Sequence, residues 1–212
     1  MTSISALALT IPRTTVSLRL SVDVASTQPD ERELLVRAQK GDHHAFAQIV
    51  EAYQRPVYNL CYRMLGNPEE AEDATQETFI RAYTNLAKFD LDRKFVNWVL
   101  TIASNHCVDR LRKRRIQWSS IEDDPYVERI PMPDTVNPQQ VAEEREQADE
   151  IQYWLNQLPP DYRTPLILLY WYGYSYEEIA DMMQLSVPAV KSRLHRARKR
   201  IAEMMLNQPK PS

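Results

Sequence analysis

The sequence predicts an all-α fold: two small helical domains joined by an acidic flexible linker, the second domain a helix-turn-helix. Three observations carry this. Apolar residues recur at three- and four-residue spacing through most of the chain, the period of a helix with one buried face. Only 3 glycines occur in 212 residues, too few for Gly-rich phosphate loops or a turn-rich β fold. Residues 116–148 break the pattern, with Asp123, Asp124, Pro125, Pro131, Pro133 and Pro138 among further acidic residues.

The elements follow in order. Residues 1–29 are rich in Ser and Thr, and Val16, Leu18, Leu20, Val22 and Val24 alternate with polar residues. A lone strand in a helical chain has no partner, so a disordered tail is expected. No basic residue precedes the short apolar stretch from Ala6 to Ile11, which argues against a signal peptide. Residues 30–115 form the first domain. Glu31 to Gln39 is a short helix, and Asp42 can cap the next. Phe46, Ile49, Val50, Tyr53, Val57, Leu60, Cys61 and Met64 then make one apolar stripe, with Pro56 expected to kink it and Gly66 to end it. Pro68 opens a third helix whose first turn holds Glu69, Glu70, Glu72 and Asp73, placed to suit the positive end of the helix dipole. In it Ala71, Ala74, Phe79, Ala82 and Leu86 can face inward. A fourth helix starts at Phe95. Phe95, Trp98, Val99, Ile102 and Ala103 give its apolar side, and Arg110, Arg112, Lys113, Arg114 and Arg115 its end. Four consecutive cations exceed what a helix C-terminus needs, which favours phosphate contact.

The linker, residues 116–148, spans roughly 30 Å on average as a flexible coil and at most about 110 Å when stretched. Residues 149–207 form the second domain. Asp149 to Leu158 and Asp161 to Tyr172 are helical, with Pro159 and Pro160 between them. Ser175 and Glu178 make a capping box at the start of the next helix. Leu185 and Ser186 interrupt it, and Pro188 falls in the first turn of a final helix, where its missing N–H costs little. There Val190, Leu194, Ala197 and Ile201 define a buried face. The opposite face carries Ala189, Lys191, Ser192, His195, Arg196 and Lys199. Such a pair of helices inserts its second member into the DNA major groove.

The formal net charge of -3 hides a strong asymmetry. Residues 186–200 carry six basic side chains and no acidic one; residues 93–115 carry seven basic and one acidic. Residues 66–92 carry seven acidic and two basic, and residues 116–150 ten acidic and two basic. Two nucleic-acid-facing patches and one acidic surface for another partner are expected. Cys61 and Cys107 share no metal-ligand spacing, and no metal or other cofactor is expected. No apolar run reaches the ~18 residues of a membrane span, so no membrane insertion and a cytoplasmic location are expected. His43, His44, His106 and His195 have no base–nucleophile partner at a motif spacing, which argues against an enzyme.

Four segments together resemble the extracytoplasmic-function class of the sigma-70 family, the promoter-recognition subunits of bacterial RNA polymerase. They are GDHHAFAQIVEAYQRPVYNLCYRMLG, EEAEDATQETFIRAYTNL, FVNWVLTIASNHCVDRLRKRR and LPPDYRTPLILLYWYGYSYEEIADMMQLSVPAVKSRLHRAR, in that order, with the acidic spacer between the last two. The resemblance covers residues 31–115 and 149–206. It implies an initiation factor that binds core RNA polymerase and reads two promoter elements. Asp73, Gln76, Glu77, Phe79 and Arg81 are similar to the surface that docks on the β′ clamp helices, and the β flap is a further polymerase contact that the resemblance implies. The fourth helix resembles the reader of the minus-ten element, implying roles for Trp98, Asn105, Arg110, Arg112, Lys113, Arg114 and Arg115. Asn105 falls where the family places a polar residue for an extruded base. The final helix resembles the minus-thirty-five reader, implying contacts from Ala189, Lys191, Ser192, His195, Arg196 and Lys199. An anti-sigma factor is a further implied partner. The chain departs from the family at Gln184, where a turn Gly is frequent, and at Pro188-Ala189, where a Gly-Thr pair often opens the recognition helix. Pro165 is also unusual early in a helix. The alternative from another class is a stand-alone helix-turn-helix regulator; residues 31–115 lack the strand–helix alternation of a receiver domain, which weighs against it.

Overall fold

The computed structural model describes residues 30–118 and 148–207. The expectations for the tail at 1–29 and for most of the linker lie outside the described residues. The described segments are helical: α1 (Glu31–Gln39), α2 (His43–Leu65), α3 (Pro68–Asn85), a 3-10 turn (Leu86–Lys88), α4 (Phe95–Trp118), α5 (148–156), α6 (Pro160–Trp171), α7 (Tyr176–Met183) and α8 (Val187–Asn207). The helix α4 runs past the boundary expected at Arg115.

Helix α2 is the centre of the first half and packs against α1, α3 and α4. Its stripe is buried as the spacing predicts: Val57, Leu60, Cys61 and Met64 are wholly inaccessible. The Asp42 side chain accepts from the amides of His44 and Ala45 and so satisfies two of the orphan donors at the helix start. The Arg37 side chain, hydrogen-bonded to that same carboxylate, holds its pKa below the usual range. Pro56 lies within α2, and the helix runs through it unbroken. Gly66 ends the helix at φ 74, a left-handed conformation that favours a residue without Cβ. Asn67 then caps α3 through the Glu70 amide, and Pro68 opens it. Ala71, Ala74, Phe79, Ala82 and Leu86 all point inward. The first turns of α4 close the core with an aromatic cluster, in which Phe89 and Trp98 lie 4.9 Å apart and Phe95 touches Tyr53, Phe89 and Trp98.

In the second half α6 and α7 support α8. Helix α6 begins at Pro160 and tolerates Pro165 inside, which removes one amide donor; the Thr164 hydroxyl donates to the Pro160 carbonyl nearby. The capping box of α7 is complete: Ser175 accepts from the Glu178 amide and the Glu178 carboxylate accepts from the Ser175 amide. The turn into α8 passes through Gln184 at φ 53. Its amide bonds back to the carbonyls of Ala180 and Asp181, so the left-handed residue closes α7. Val190, Leu194 and Ala197 are buried against α6 and α7.

A left-handed conformation costs an L-residue roughly 1 kcal/mol or more, a cost glycine escapes. Gln184→Gly is therefore expected to raise the thermal midpoint by a few degrees, less the entropy that glycine adds to the unfolded chain. Calorimetric scans of the two chains check this, and an unchanged or lowered midpoint contradicts it.

Candidate nucleic-acid interface

Helix α8 separates its faces cleanly. With Val190, Leu194 and Ala197 turned inward, the residues between them must turn out. Lys191, Ser192, His195, Arg196 and Lys199 are exposed and Ala189 is half-buried. Ser186 accepts weakly from the Ala189 amide at 3.4 Å and fixes the start of the helix. Lys191 lies 5.9 Å from the centre of the Tyr176 ring, which supports its stem. Lys199 pairs with Glu203 one turn on. Arg193 is set to the side, 3.9 Å from Asp161. A cationic surface broken by Ser and His suits phosphates at its edge and base edges at its centre.

Helix α4 presents a second surface. Asn105 is exposed and Trp98, two turns earlier, shares its side of the helix, half-buried against Phe89 and Phe95. The basic end is not uniformly free. Glu70 on α3 takes the Arg114 guanidinium and lies 3.9 Å from Arg110, which is also 3.6 Å from Asp73. Arg112 pairs with Asp161 of α6 at 2.9 Å. Lys113 is exposed, and Arg115 belongs to the same helix. The α3 carboxylates thus hold part of the basic cluster in place, a link the linear sequence could not reveal because 40 residues separate Glu70 from Arg110.

The acidic surface lies on α3. Asp73, Gln76 and Arg81 are exposed, and Glu77 accepts from Arg81 at 2.6 Å, an interaction that keeps its carboxyl below the usual pKa. Phe79, expected here, is instead 7% exposed and packs in the core. Its position, three residues before Ala82 and eight after Ala71, puts it on the inward face. The apolar residue that the outer stripe presents is Ile80, 61% exposed, at seven residues from Asp73. A groove forms where Asp73, Gln76, Glu77 and Ile80 meet His106 and Arg110 of α4. Burial, followed by the Arg81 cation, lowers the His106 pKa against the opposing pull of Glu77. Helical spacing alone would have found Ile80; His106 and Arg110 required the packing of α3 on α4.

Two family models match the chain: Sigma-70 region 2 over residues 49–116 and Sigma-70, region 4 over residues 148–201. The ECF RNA polymerase sigma factor SigW of Bacillus subtilis is 38% identical over 179 residues, covering 82% of this chain and 96% of that protein. RNA polymerase sigma-H factor of Pseudomonas aeruginosa is 36% identical over 180 residues, covering 82% of this chain and 93% of that protein. Among solved structures, the sigma factor RpoE in complex with the anti-sigma factor NepR from Bartonella quintana matches with a TM-score of 0.59 at 25% identity, covering 77% of this chain and 98% of that one. The chain belongs to the sigma-70 family of RNA polymerase sigma factors, and within it to the extracytoplasmic-function subfamily. Its fold and the order of its two regions are those the four sequence segments imply. No helix among the described residues is long and apolar enough to cross a membrane.

Phe79 and Ile80 are adjacent in sequence and opposite in consequence. Phe79→Ala is expected to cost about 3–5 kcal/mol of stability, and Ile80→Ala less than about 0.5 kcal/mol. Urea denaturation of both variants measures the difference; equal costs contradict the placement of the two side chains.

Proposed function

We propose that the two regions divide the work of promoter recognition among three surfaces. Residues 30–115 act as the domain that binds core polymerase and the minus-ten element, and residues 149–207 as the minus-thirty-five domain. The observation that carries this reading is the segregation of charge onto separate helix faces: cationic on α8, cationic with an aromatic on α4, acidic with Ile80 on α3. On α8, Lys191 and Lys199 contact phosphates, while Ser192, His195 and Arg196 face base edges from the middle of the helix.

On α4, Asn105 offers an amide that can both donate to and accept from a base edge, and Trp98 offers an apolar wall beside it. A base held there is a base removed from the stack, which costs a few kcal/mol per step and is offset by the contacts it makes. Arg112, Lys113, Arg114 and Arg115 provide the phosphate contacts; Arg110 serves from within the α3–α4 groove. No covalent chemistry is needed: opening is supported by trapping unstacked bases. On α3, the acidic side chains of Asp73 and Glu77 attract basic residues of the β′ clamp helices, Gln76 adds hydrogen bonds, and Ile80 takes the apolar position first expected of Phe79. The minus-thirty-five domain also faces the β flap, and an anti-sigma factor controls access to these surfaces. The site of action is the cytoplasm.

Two experiments test this reading. Lys191→Ala is expected to reduce the salt slope of promoter binding by about one unit, the signature of one lost phosphate contact; an unchanged slope takes Lys191 off the contact surface. Asp73→Lys with Glu77→Lys is expected to weaken association with core polymerase at least tenfold and leave binding of minus-thirty-five DNA by the α8 surface intact. Ile80→Asp should have the same selectivity. Undiminished polymerase association in both variants overturns the docking assignment.

A further inference from the structure

The chain holds 2 cysteines, and the fold brings them together. Cys61 lies on α2 and Cys107 on α4, each on the buried side of its helix: Cys61 follows Val57 and Leu60, and Cys107 stands one turn after Ala103. Both are free thiols and both are wholly inaccessible. Where α2 packs on α4, the Cys107 thiol donates to the Cys61 sulfur. That hydrogen bond holds the Cys61 thiol below its ordinary pKa and pushes the Cys107 thiol up. The Thr75 hydroxyl of α3 also faces Cys61, and the guanidinium groups of Arg110 and Arg163 favour negative charge at Cys107. A buried cysteine is by itself a small apolar side chain. Two in hydrogen-bond contact are a nucleophile and a resolving partner, because the sulfur that accepts the bond is the better thiolate and the other stands ready to displace what it becomes.

We propose that Cys61 and Cys107 are a peroxide-oxidised pair that closes to a disulfide and staples α2 to α4. The Cys61 thiolate attacks one oxygen of hydrogen peroxide; the O–O bond breaks, and the leaving hydroxide takes up the thiol proton as water. Cys61 is then a sulfenic acid. The Cys107 sulfur attacks the Cys61 sulfur, the S–O bond breaks, and a second water leaves with the Cys107 proton. One peroxide gains two electrons and two thiols lose them. The backbone permits the bond. A disulfide needs its two Cα atoms within about 7 Å. Helix axes pack roughly 8–10 Å apart with Cα atoms about 2.3 Å from each axis, so facing positions fall in that range. Burial sets the rate: neither sulfur touches solvent, so peroxide reaches the pair only during local opening of the first domain. Once formed, the bond closes a long loop of the unfolded chain, which stabilises the fold. It also keeps both sulfurs from the irreversible acids higher on the oxidation ladder. This chemistry is independent of the surfaces proposed for DNA and polymerase.

The test uses the full chain, first reduced and then held in hydrogen peroxide. Mass spectrometry is expected to show the intact chain lighter by two hydrogen atoms, and its unreduced digest to contain one peptide pair joined through Cys61 and Cys107. The thermal midpoint of the oxidised chain is expected to rise by several degrees and to fall back after dithiothreitol. Cys107→Ser is expected to stop at the Cys61 sulfenic acid, which dimedone traps. Cys61→Ser is expected to slow loss of the Cys107 thiol at least tenfold. Circular dichroism verifies that both serine variants remain helical, and the natural chain decides the outcome should either unfold. Two thiols still free in the folded chain after a day in peroxide overturn the proposal, as does a disulfide found only between two chains. Equal rates of thiol loss in the two variants overturn the assignment of Cys61 as nucleophile. An internal bridge that lowers the midpoint overturns the staple.

Discussion

The buried Arg163 guanidinium is the constraint on which the arrangement of the halves depends. It sits in α6, yet it satisfies the last turn of α2 as well as the carbonyls of Asn156 and Leu158 in its own half. Burial pushes its pKa down to about 10, so it keeps its charge at neutral pH and must be surrounded by acceptors. Every neighbour follows from that need. Gly66 leaves room for Asn156, Gln152 takes the adjacent carbonyl, and Thr164 reaches toward the Met64 sulfur. The polar contact is set into a continuous apolar core, in which Leu155, Leu158, Leu166 and Ile167 belong with Leu60 and Met64.

The same economy of placement governs the charged surfaces. A net charge of -3 is the sum of segments with opposite sign, carried largely on different helices. Where they do meet, at Glu70 with Arg114 and at Asp73 with Arg110, the contact joins α3 to α4. The helix proposed to face polymerase and the helix proposed to face DNA therefore share a groove, in which His106 lies with Glu77 and Arg110. Docking on one surface is physically adjacent to reading on the other.

Most of the fold was legible in the sequence because helices declare themselves locally. The cap at Asp42, the stop at Gly66, Pro68 at the start of α3 and the box at Ser175 each rest on interactions within a few residues. The buried faces of α2, α3 and α8 followed from spacing. Pro56, where a kink is expected, lies inside the continuous helix α2. Phe79 was assigned to a surface by resemblance although its spacing already placed it inside; the periodic signal was the better guide. What the sequence could not show was non-local. Nothing near Met64 indicates that a residue 99 positions later would cap its carbonyl. The partners of Arg110, Arg112 and Arg114 likewise depend on which helices pack together. On α8, spacing placed Lys191, Ser192, His195, Arg196 and Lys199 on the exposed side, with Ala189 half-buried, whereas the α4 cluster is in part committed to internal ion pairs.

The central claim is that this chain directs polymerase by reading two blocks of promoter sequence with α4 and α8. The most direct measurement is transcription from a library of random promoter sequences, with purified chain, core polymerase and mapped start sites. The account predicts that active templates share two short sequence blocks at a fixed spacing upstream of the start, and that substituting Arg196 alters the preference in the upstream block only. Start sites no different from those of core polymerase alone would contradict it.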